Sequence, residues 1–87
     1  MSQSEMMLEK TEFVHNLLQT RHILEEDLKQ VIQHAENTGE KLYQPDSDRF
    51  LSKLRIGEAS FYVEYSPIEG GYRIHTAYAH RSIIAGG

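Results

Sequence analysis

The residues FLSKLRIGEASFYVEY, at positions 50–65, decide the fold of this chain. Apolar and polar side chains alternate on both sides of Gly57-Glu58, a pattern typical of two β-strands joined by a two-residue turn that begins with glycine. We therefore expect antiparallel strands at about 50–56 and 59–66. After a second turn, the alternation resumes and predicts a third strand at about 72–80.

The period of two assigns the side chains of these strands to opposite faces of the sheet. One face is predicted to carry the apolar set, and this set should contact the rest of the core: Phe61, Val63, Tyr72, Ile74 and Tyr78. The other face is predicted to be polar and to face water.

Before the strands, the apolar residues recur at helical spacing. A first helix is predicted at about 4–19, with Ser2 or Ser4 as its cap, and a second at about 24–38, ending at Gly39. The second has an apolar stripe, predicted to cover the sheet, at Leu24, Leu28, Val31, Ile32 and Ala35. Whether residues 20–22 separate two helices or lie within one long helix stays open, since they include neither proline nor glycine.

Together these elements predict one α+β domain spanning residues 1–87, with two N-terminal helices packed on one face of a three-stranded antiparallel meander. The chain has no cysteine, which excludes disulfides, thiolate zinc sites and cysteine nucleophiles. Neither a signal peptide nor a membrane span is recognisable, so a cytoplasmic protein with no membrane association is expected.

Charge is divided unevenly along the chain. Residues 1–48 hold four Lys/Arg against ten Asp/Glu, a net of -6, and residues 49–87 hold five against three, a net of +2. An overall charge of -4 argues against a general nucleic-acid binder. The basic C-terminal part is suited to a complementary, acidic partner.

Three of the five Lys/Arg in residues 49–87 fall on the predicted polar face of the sheet. The candidate binding face consists of Lys53, Arg55, Tyr62, Glu64, Arg73 and His75, with Arg81 just beyond it. Such a face suits phosphates or an acidic protein surface. The alternative is an ordinary solvated sheet face, on which Glu64 pairs with Arg55 or Arg73 across the strands.

Catalytic and metal sites have weaker sequence support. Glu64 or Tyr62 with His75 would make an acid–base pair, but a flat sheet lacks a water-excluding pocket, and no nucleophile motif or phosphate loop is present. Glu12 with His15, and His22 with Glu25 and Glu26, have helical ligand spacing but no closed ligand set. No catalytic residue, metal or cofactor is therefore predicted.

The C-terminal Gly86-Gly87 looks like the tail of ubiquitin-like sulphur carriers. Those proteins begin with a β-hairpin, whereas helices are predicted at the start of this chain. The two glycines are therefore interpreted as an ordinary chain terminus.

Two stretches carry a resemblance to known proteins: residues 21–28, which read RHILEEDL, and residues 57–81, with the segments YRI at 72–74 and AYAHR at 77–81. They resemble small prokaryotic domains of unassigned function and, more loosely, the RelE/BrnT-like toxin superfamily. That resemblance implies helices before an antiparallel sheet, and RNA cleavage by basic, aromatic and histidine side chains. The matching positions are Arg55, Arg73, His75, Tyr78 and Arg81.

Two functions therefore remain in view. The sequence favours a small accessory or regulatory protein-interaction module without catalytic activity of its own, acting on a protein partner or as a homodimer. The alternative is a RelE-like RNA-binding or RNA-cleaving domain, which would be basic throughout, whereas the helical half of this chain is acidic.

Overall fold

A computed structural model describes residues 6–81 of the chain. Its elements are β1 (Met7–Glu9), α1 (Glu12–Thr20), α2 (Glu25–Thr38), β2 (Lys41–Gln44), β3 (Arg49–Ile56), β4 (Ala59–Ile68) and β5 (Gly71–Arg81). The strands form one sheet in the order β1-β5-β4-β3-β2. Because β1 is parallel to β5 and the other pairs are antiparallel, the sheet is mixed.

The fold is therefore α+β, but the prediction of a three-stranded antiparallel meander was wrong. β3, β4 and β5 lie where the three strands were expected, and the structure adds a strand at each edge of the sheet. The chain thus runs β-α-α-β-β-β-β. Both added strands are short, and tertiary pairing rather than local sequence pattern defines them.

The first helix begins later than predicted because residues 7–9 form β1. Thr11 caps α1, its hydroxyl accepting a hydrogen bond of 3.2 Å from the backbone N–H of Val14. Val14 and Leu18 are the buried residues of α1. The helix ends before His22, whose positive φ of 58° turns the chain, and α2 is a separate helix.

Helix α2 follows its predicted range closely and has clear physical reasons for both ends. Three acidic residues occupy its first turn, where the helix dipole favours negative charge, and Asp27 accepts a hydrogen bond of 3.1 Å from the Leu24 N–H. Its stripe of Leu28, Val31, Ile32 and Ala35 is completely buried. Gly39, at φ 79°, ends the helix in the left-handed conformation.

Strand β1 lies beside β5 in the register Met7↔Gly71, Leu8↔Tyr72 and Glu9↔Arg73. A Cβ atom on Gly71 would collide with the backbone carbonyl of Met7, so only glycine allows this close approach. Three residues are too few to show a period of two, and the flanking methionines fitted a helical pattern as well.

Strand β2 returns from α2 and pairs with the first half of β3, from Lys41↔Ser52 to Gln44↔Arg49. The turn between them uses Asp48 at φ 57°, a left-handed conformation that aspartate tolerates better than most residues. Because β2 is four residues long and β3 is eight, the second half of β3 pairs with no strand on this side in the part of the chain that the structure describes.

A β-bulge at His75 reverses the predicted faces of β5 from Thr76 onward, while Tyr72 and Ile74 face the core as predicted. Tyr65 pairs with Ile74 and Glu64 with Thr76, which leaves His75 as an extra residue. Ile74 and Ala77 consequently both face the helices and are 1% exposed. Tyr78, which was predicted to face the core, lies on the opposite face and is 42% exposed.

The core lies between the helices and one face of the sheet, and its buried residues are Val14, Leu18, Ile23, Leu28, Val31, Ile32, Val63, Tyr65, Ile74 and Ala77. Leu24 was expected there but is 62% exposed, since it precedes the first turn of α2. Among residues 6–81, no helix has the length and apolar character of a membrane span. The Gly86-Gly87 tail lies outside the described residues.

One polar contact ties α2 to the sheet. The hydroxyl of buried Tyr65 donates a 2.7 Å hydrogen bond to the Glu36 carboxylate, which also accepts one of 2.7 Å from Lys41. Burial alone would raise the pKa of Glu36, but the hydrogen bonds from Lys41 and Tyr65 and the charge of Lys41 outweigh it and lower that pKa. Burial and the Glu36 carboxylate raise the pKa of Tyr65, so its hydroxyl stays protonated.

Candidate functional site

The face of the sheet opposite the helices is not covered by any described element, and we call it the open face. Register and alternation place the following residues there: Leu42, Arg49, Leu51, Lys53, Arg55, Tyr62, Glu64, Ser66, Arg73, His75, Thr76, Tyr78 and His80. Antiparallel sheets with a wet face are usually polar on it. This one combines cations with aromatic and aliphatic groups.

The centre of the open face is a row of three side chains on neighbouring strands. Lys53 on β3 pairs with Tyr62 on β4, which pairs with Tyr78 on β5. The two tyrosine rings are stacked, with centroids 4.8 Å apart and planes 12° from parallel. The Lys53 Nζ lies 5.6 Å from the centre of the Tyr62 ring, within the range of a cation–π contact. We call this row the Lys-Tyr-Tyr ladder.

The spacing of the ladder shows how its rings stand. Neighbouring strands of a sheet are about 4.8 Å apart, and the ring centroids have the same separation. The rings therefore stand upright on the sheet with their flat faces turned towards each other. Their edges, and the hydroxyl groups, are what the open face presents to an incoming molecule.

Two arginines of the open face, one at the β2 end of β3 and one near the start of β5, already form ion pairs with glutamates. Arg49 contacts Glu64 at 2.9 Å, and Arg73 contacts Glu9 at 2.7 Å. In the part of the chain that the structure describes, Lys53 and Arg55 have no carboxylate within ion-pair distance. The uncompensated positive charge of the open face thus lies beside the ladder.

His75 lies at the bulge, next to both arginine pairs. Burial and the positive charges of Arg49 and Arg73 lower its pKa, although Glu64 acts in the opposite direction, so the imidazole is neutral at pH 7. Its Nε2 is 2.7 Å from the Ser66 hydroxyl.

The hydrogen bonds of Ser66 argue against a serine–histidine nucleophile. The Ser66 hydroxyl donates to the carbonyl oxygen of Asp48 at 3.0 Å, and it has only one proton to give. The neutral His75 must then donate from Nε2 to the hydroxyl oxygen. In this tautomer the histidine cannot accept a proton from Ser66, so the pair serves to position the bulge.

The structure places all six residues of the predicted binding face on the open face. Lys53 and Tyr62 are at its centre and Arg55 is beside them, while Arg73 and His75 lie towards the β1 edge. Glu64 pairs with Arg49, not with Arg55 or Arg73 as the solvated-face alternative supposed.

The five residues matched to the toxin superfamily do not come together. Arg55 is level with Ser60 and Arg73 with Ser66, six residues along β4, a separation of roughly 20 Å. Arg81 lies level with Ala59 at the far end, and its alternation directs it to the helix side. His75 is near Arg73, and Tyr78 belongs to the ladder.

Sequence reasoning missed three contributors to the open face. Leu42 and Arg49 belong to a β2–β3 pair that was not predicted, and Tyr78 was assigned to the core. The signal for Tyr78 was the order of residues 75–79, HTAYA, in which small Ala77 and Ala79 suit the space under the helices better than a tyrosine does. Leu51 was on the correct face but was not weighed as a binding residue.

The candidate metal-ligand groups on the helices are not completed by further ligands in the described part of the chain. Within residues 6–81 no three histidine, aspartate or glutamate side chains are grouped closely enough to hold a metal ion. His15 contacts Gln19 instead, at 3.4 Å.

Comparisons with known proteins do not assign the chain to a class. No protein-family model matches it, and no curated protein or solved structure is significantly similar to it. The resemblance to RelE-like domains therefore stays a prediction.

Proposed function

We propose that this protein is a small accessory or regulatory module that binds an acidic region of a partner protein through the open face of its sheet. The observation that carries the proposal is the Lys-Tyr-Tyr ladder with Arg55 beside it, two cations without carboxylate partners among the described residues. An acidic partner would supply the missing carboxylates.

The apolar groups of the open face support a protein partner. Leu42 is 67% exposed and pairs with Leu51 on β3, next to Tyr62 and Lys53. Tyrosine, arginine and aliphatic side chains around a central patch are the composition of binding hot spots between proteins. In water, by contrast, an exposed leucine such as Leu42 gains little from its position on a sheet face.

RNA binding is the second candidate, and the same ladder favours it in one respect, since aromatic rings beside cations bind single-stranded bases. Stacking needs a free ring face, however. Tyr62 has Lys53 on one side and Tyr78 on the other, so only the outer side of Tyr78 is available. The ladder therefore suits contacts at ring edges better than base stacking.

The geometry supports binding more than catalysis. Ser66 and His75 are locked in a hydrogen-bonded arrangement without a free base, and Arg55 and Arg73 are too far apart to act on one reacting group. We place the protein in the cytoplasm, where such a module would act on another soluble protein or on a second copy of itself.

The test compares charge removal on the two sides of the molecule. Lys53→Gln with Arg55→Gln lowers the net charge by two at the ladder, and Lys29→Glu lowers it by two on α2. Tagged wild type and both variants are used to capture proteins from a lysate of the native host, with and without ribonuclease.

The proposal predicts a protein retained in a fixed ratio by wild type and by Lys29→Glu, lost from the double variant, and unaffected by ribonuclease. Direct titration of that protein should show at least a tenfold loss of affinity in the double variant, and a further fall with salt. Equal capture by all three proteins would overturn it. Capture that ribonuclease abolishes would favour the RNA alternative.

A further inference from the structure

The short strands at the two edges of the sheet cover different fractions of the long strands beside them. At one edge β1 pairs with the start of β5, and Arg21 donates a 2.8 Å hydrogen bond to the Ala77 carbonyl farther along. At the other edge β2 pairs with Arg49 to Ser52 only. The stretch of β3 from 53 to 56 continues past the start of β2 and pairs with no other strand on that side within residues 6–81, and we call it the free edge.

The hairpin geometry identifies which backbone groups of the free edge are unpaired. Gly57 has φ 67°, and Ile56 pairs with Ala59 across the two-residue turn, so Ile56 and Leu54 direct their backbone groups to β4. Lys53 and Arg55 direct theirs away from it. The pair Lys41↔Ser52 lies between two ladder bonds, one of which runs from the Lys53 N–H to the Glu40 carbonyl. Among residues 6–81, the register leaves the Lys53 carbonyl and both backbone groups of Arg55 without a partner on that side.

The free edge opens into a notch of about 700 Å³. Side chains of both sheet faces line it, including Leu54 from the helix side and Lys53, Arg55 and Tyr62 from the open face. His34 and Gly39 form its wall where the chain leaves α2. Because both faces contribute, the notch lies in the plane of the sheet, in line with β2, where another strand would fit.

The side chains around the notch specify the chemistry of such a strand. Lys53 and Arg55 stand on its open-face side, and half-buried Leu54 and Ile56 on its helix side. A strand placed here would direct alternate side chains towards cations and towards apolar groups. A second copy of the same edge is a poor fit, because antiparallel pairing would set Lys53 and Arg55 against each other's charges.

We propose that the free edge of β3 binds an extended segment of another protein in which acidic and apolar residues alternate, so that the segment becomes a sixth strand of the sheet. This inference rests on the proposed function and specifies how the acidic partner is held. The partner's backbone bonds to the Lys53 carbonyl and to both backbone groups of Arg55, and its carboxylates pair with the side chains of Lys53 and Arg55.

The test uses two capped eight-residue peptides of equal composition, one alternating glutamate and valine and one with four glutamates followed by four valines. Each is titrated into the full-length protein and followed by NMR, with amide hydrogen exchange measured for residues 53–56. The alternating peptide should bind at least tenfold more tightly. It should slow exchange at Arg55, while Lys53, already bonded to Glu40, and Leu54 and Ile56, already bonded to β4, change little.

A pair of variants separates backbone pairing from charge. Arg55→Ala and Arg55→Pro both remove the cation, but only proline removes an outward-facing N–H, which a strand edge tolerates. Proline should weaken binding of the alternating peptide at least tenfold beyond alanine. The ¹H–¹⁵N spectrum of each variant shows whether β3 and β4 still pair.

The outcomes distinguish this inference from the proposed function. Equal affinity for the two peptides, or binding without slower exchange at Arg55, would overturn strand addition while the host partner is still lost from the Lys53→Gln/Arg55→Gln variant. If that double variant keeps its partner, the proposed function fails as well. Dimerisation through the free edge, detected by sedimentation and abolished by Arg55→Pro, would assign the edge to a second copy and overturn the inference.

Discussion

Both faces of the sheet carry apolar and aromatic residues, but these residues are buried on one face and exposed on the other. On the helix side, Ile32 and Ile74 are at most 1% exposed and belong to one continuous core. On the open face, Leu42 and Tyr78 are 67% and 42% exposed, and their neighbours are cations. The difference indicates that stability comes mainly from one face, which leaves the other available for recognition.

The largest expected effect tests this division directly. Ile32→Ala removes a fully buried side chain and should lower the free energy of unfolding by about 2–5 kcal/mol, because it leaves a cavity under the sheet. Leu42→Ala, on the open face, should change it by less than about 0.5 kcal/mol. Urea denaturation of both variants measures the contrast, and equal losses would mean that the open face is part of the core.

The next effect concerns the polar contact between Tyr65 on the covered face and Glu36 on α2. Tyr65→Phe keeps the buried ring but deletes the hydroxyl that bonds to Glu36, and should lower the free energy of unfolding by about 1.5–3 kcal/mol, as for hydrogen bonds to charged groups. Tyr72→Phe on the neighbouring strand is the matched control. Surface substitutions typically change the free energy of unfolding by less than about 0.5 kcal/mol. A loss no larger than that in Tyr65→Phe would show that water replaces the hydroxyl.

Acid should weaken the same contact. Since the folded state lowers the pKa of Glu36 below its ordinary value of 4.5, its stabilising contribution is complete above that pH and is lost as pH falls through the folded pKa. Denaturation from pH 7 down to pH 3 should therefore show a smaller decline for Glu36→Gln than for wild type. An equal decline in the two proteins would show that the Glu36 carboxylate does not contribute to acid sensitivity.

The ladder should matter more for binding than for folding. Tyr78→Ala breaks an exposed stacked pair and should cost at most about 1 kcal/mol of folding stability, the range for cross-strand pairs. Affinity for the partner should fall at least tenfold, as measured by titration. If stability drops by as much as in Ile32→Ala, the ladder is structural and the functional contrast between the faces is lost.

The smallest effect is expected at the bulge. The folded state lowers the pKa of His75 below 6.5, so its protonation opposes folding as pH falls from about 7 through the folded pKa. Arg49, Arg73, Glu64 and Ser66 are the charged and polar groups near it. Wild type should lose slightly more stability than His75→Gln over this window, and NMR titration of the imidazole should give a pKa below 6.5.

Local sequence pattern predicted the elements that contain a full period. Helix α2 has its four buried residues at helical spacing, and β3 and β4 alternate on both sides of Gly57. β1 and β2 have three and four residues, too few to define a period, and they exist because β5 and β3 offer them backbone partners. Such pairing depends on residues far away in the chain.

The candidate site was likewise predictable only where its residues lie in strands that alternate regularly. Lys53 and Tyr62 lie in the regular strands, and their shared face followed from alternation. Tyr78 could not be placed in this way, because the extra residue at His75 reverses the alternation of β5. The choice between a ladder and a core position depended on one bulge, whose local signal was the pair of small residues, Ala77 and Ala79, that flanks Tyr78.

The pairing of Met7 with Gly71 also has a consequence for how the chain reaches its folded state. The partners are 64 positions apart, so β1 leaves the ribosome well before the strand with which it pairs. The helices likewise leave the ribosome before the strands that bury them. Contacts between such distant residues slow folding. We therefore expect the nascent chain to stay incompletely folded, with the apolar stripes of its helices exposed, until β5 emerges.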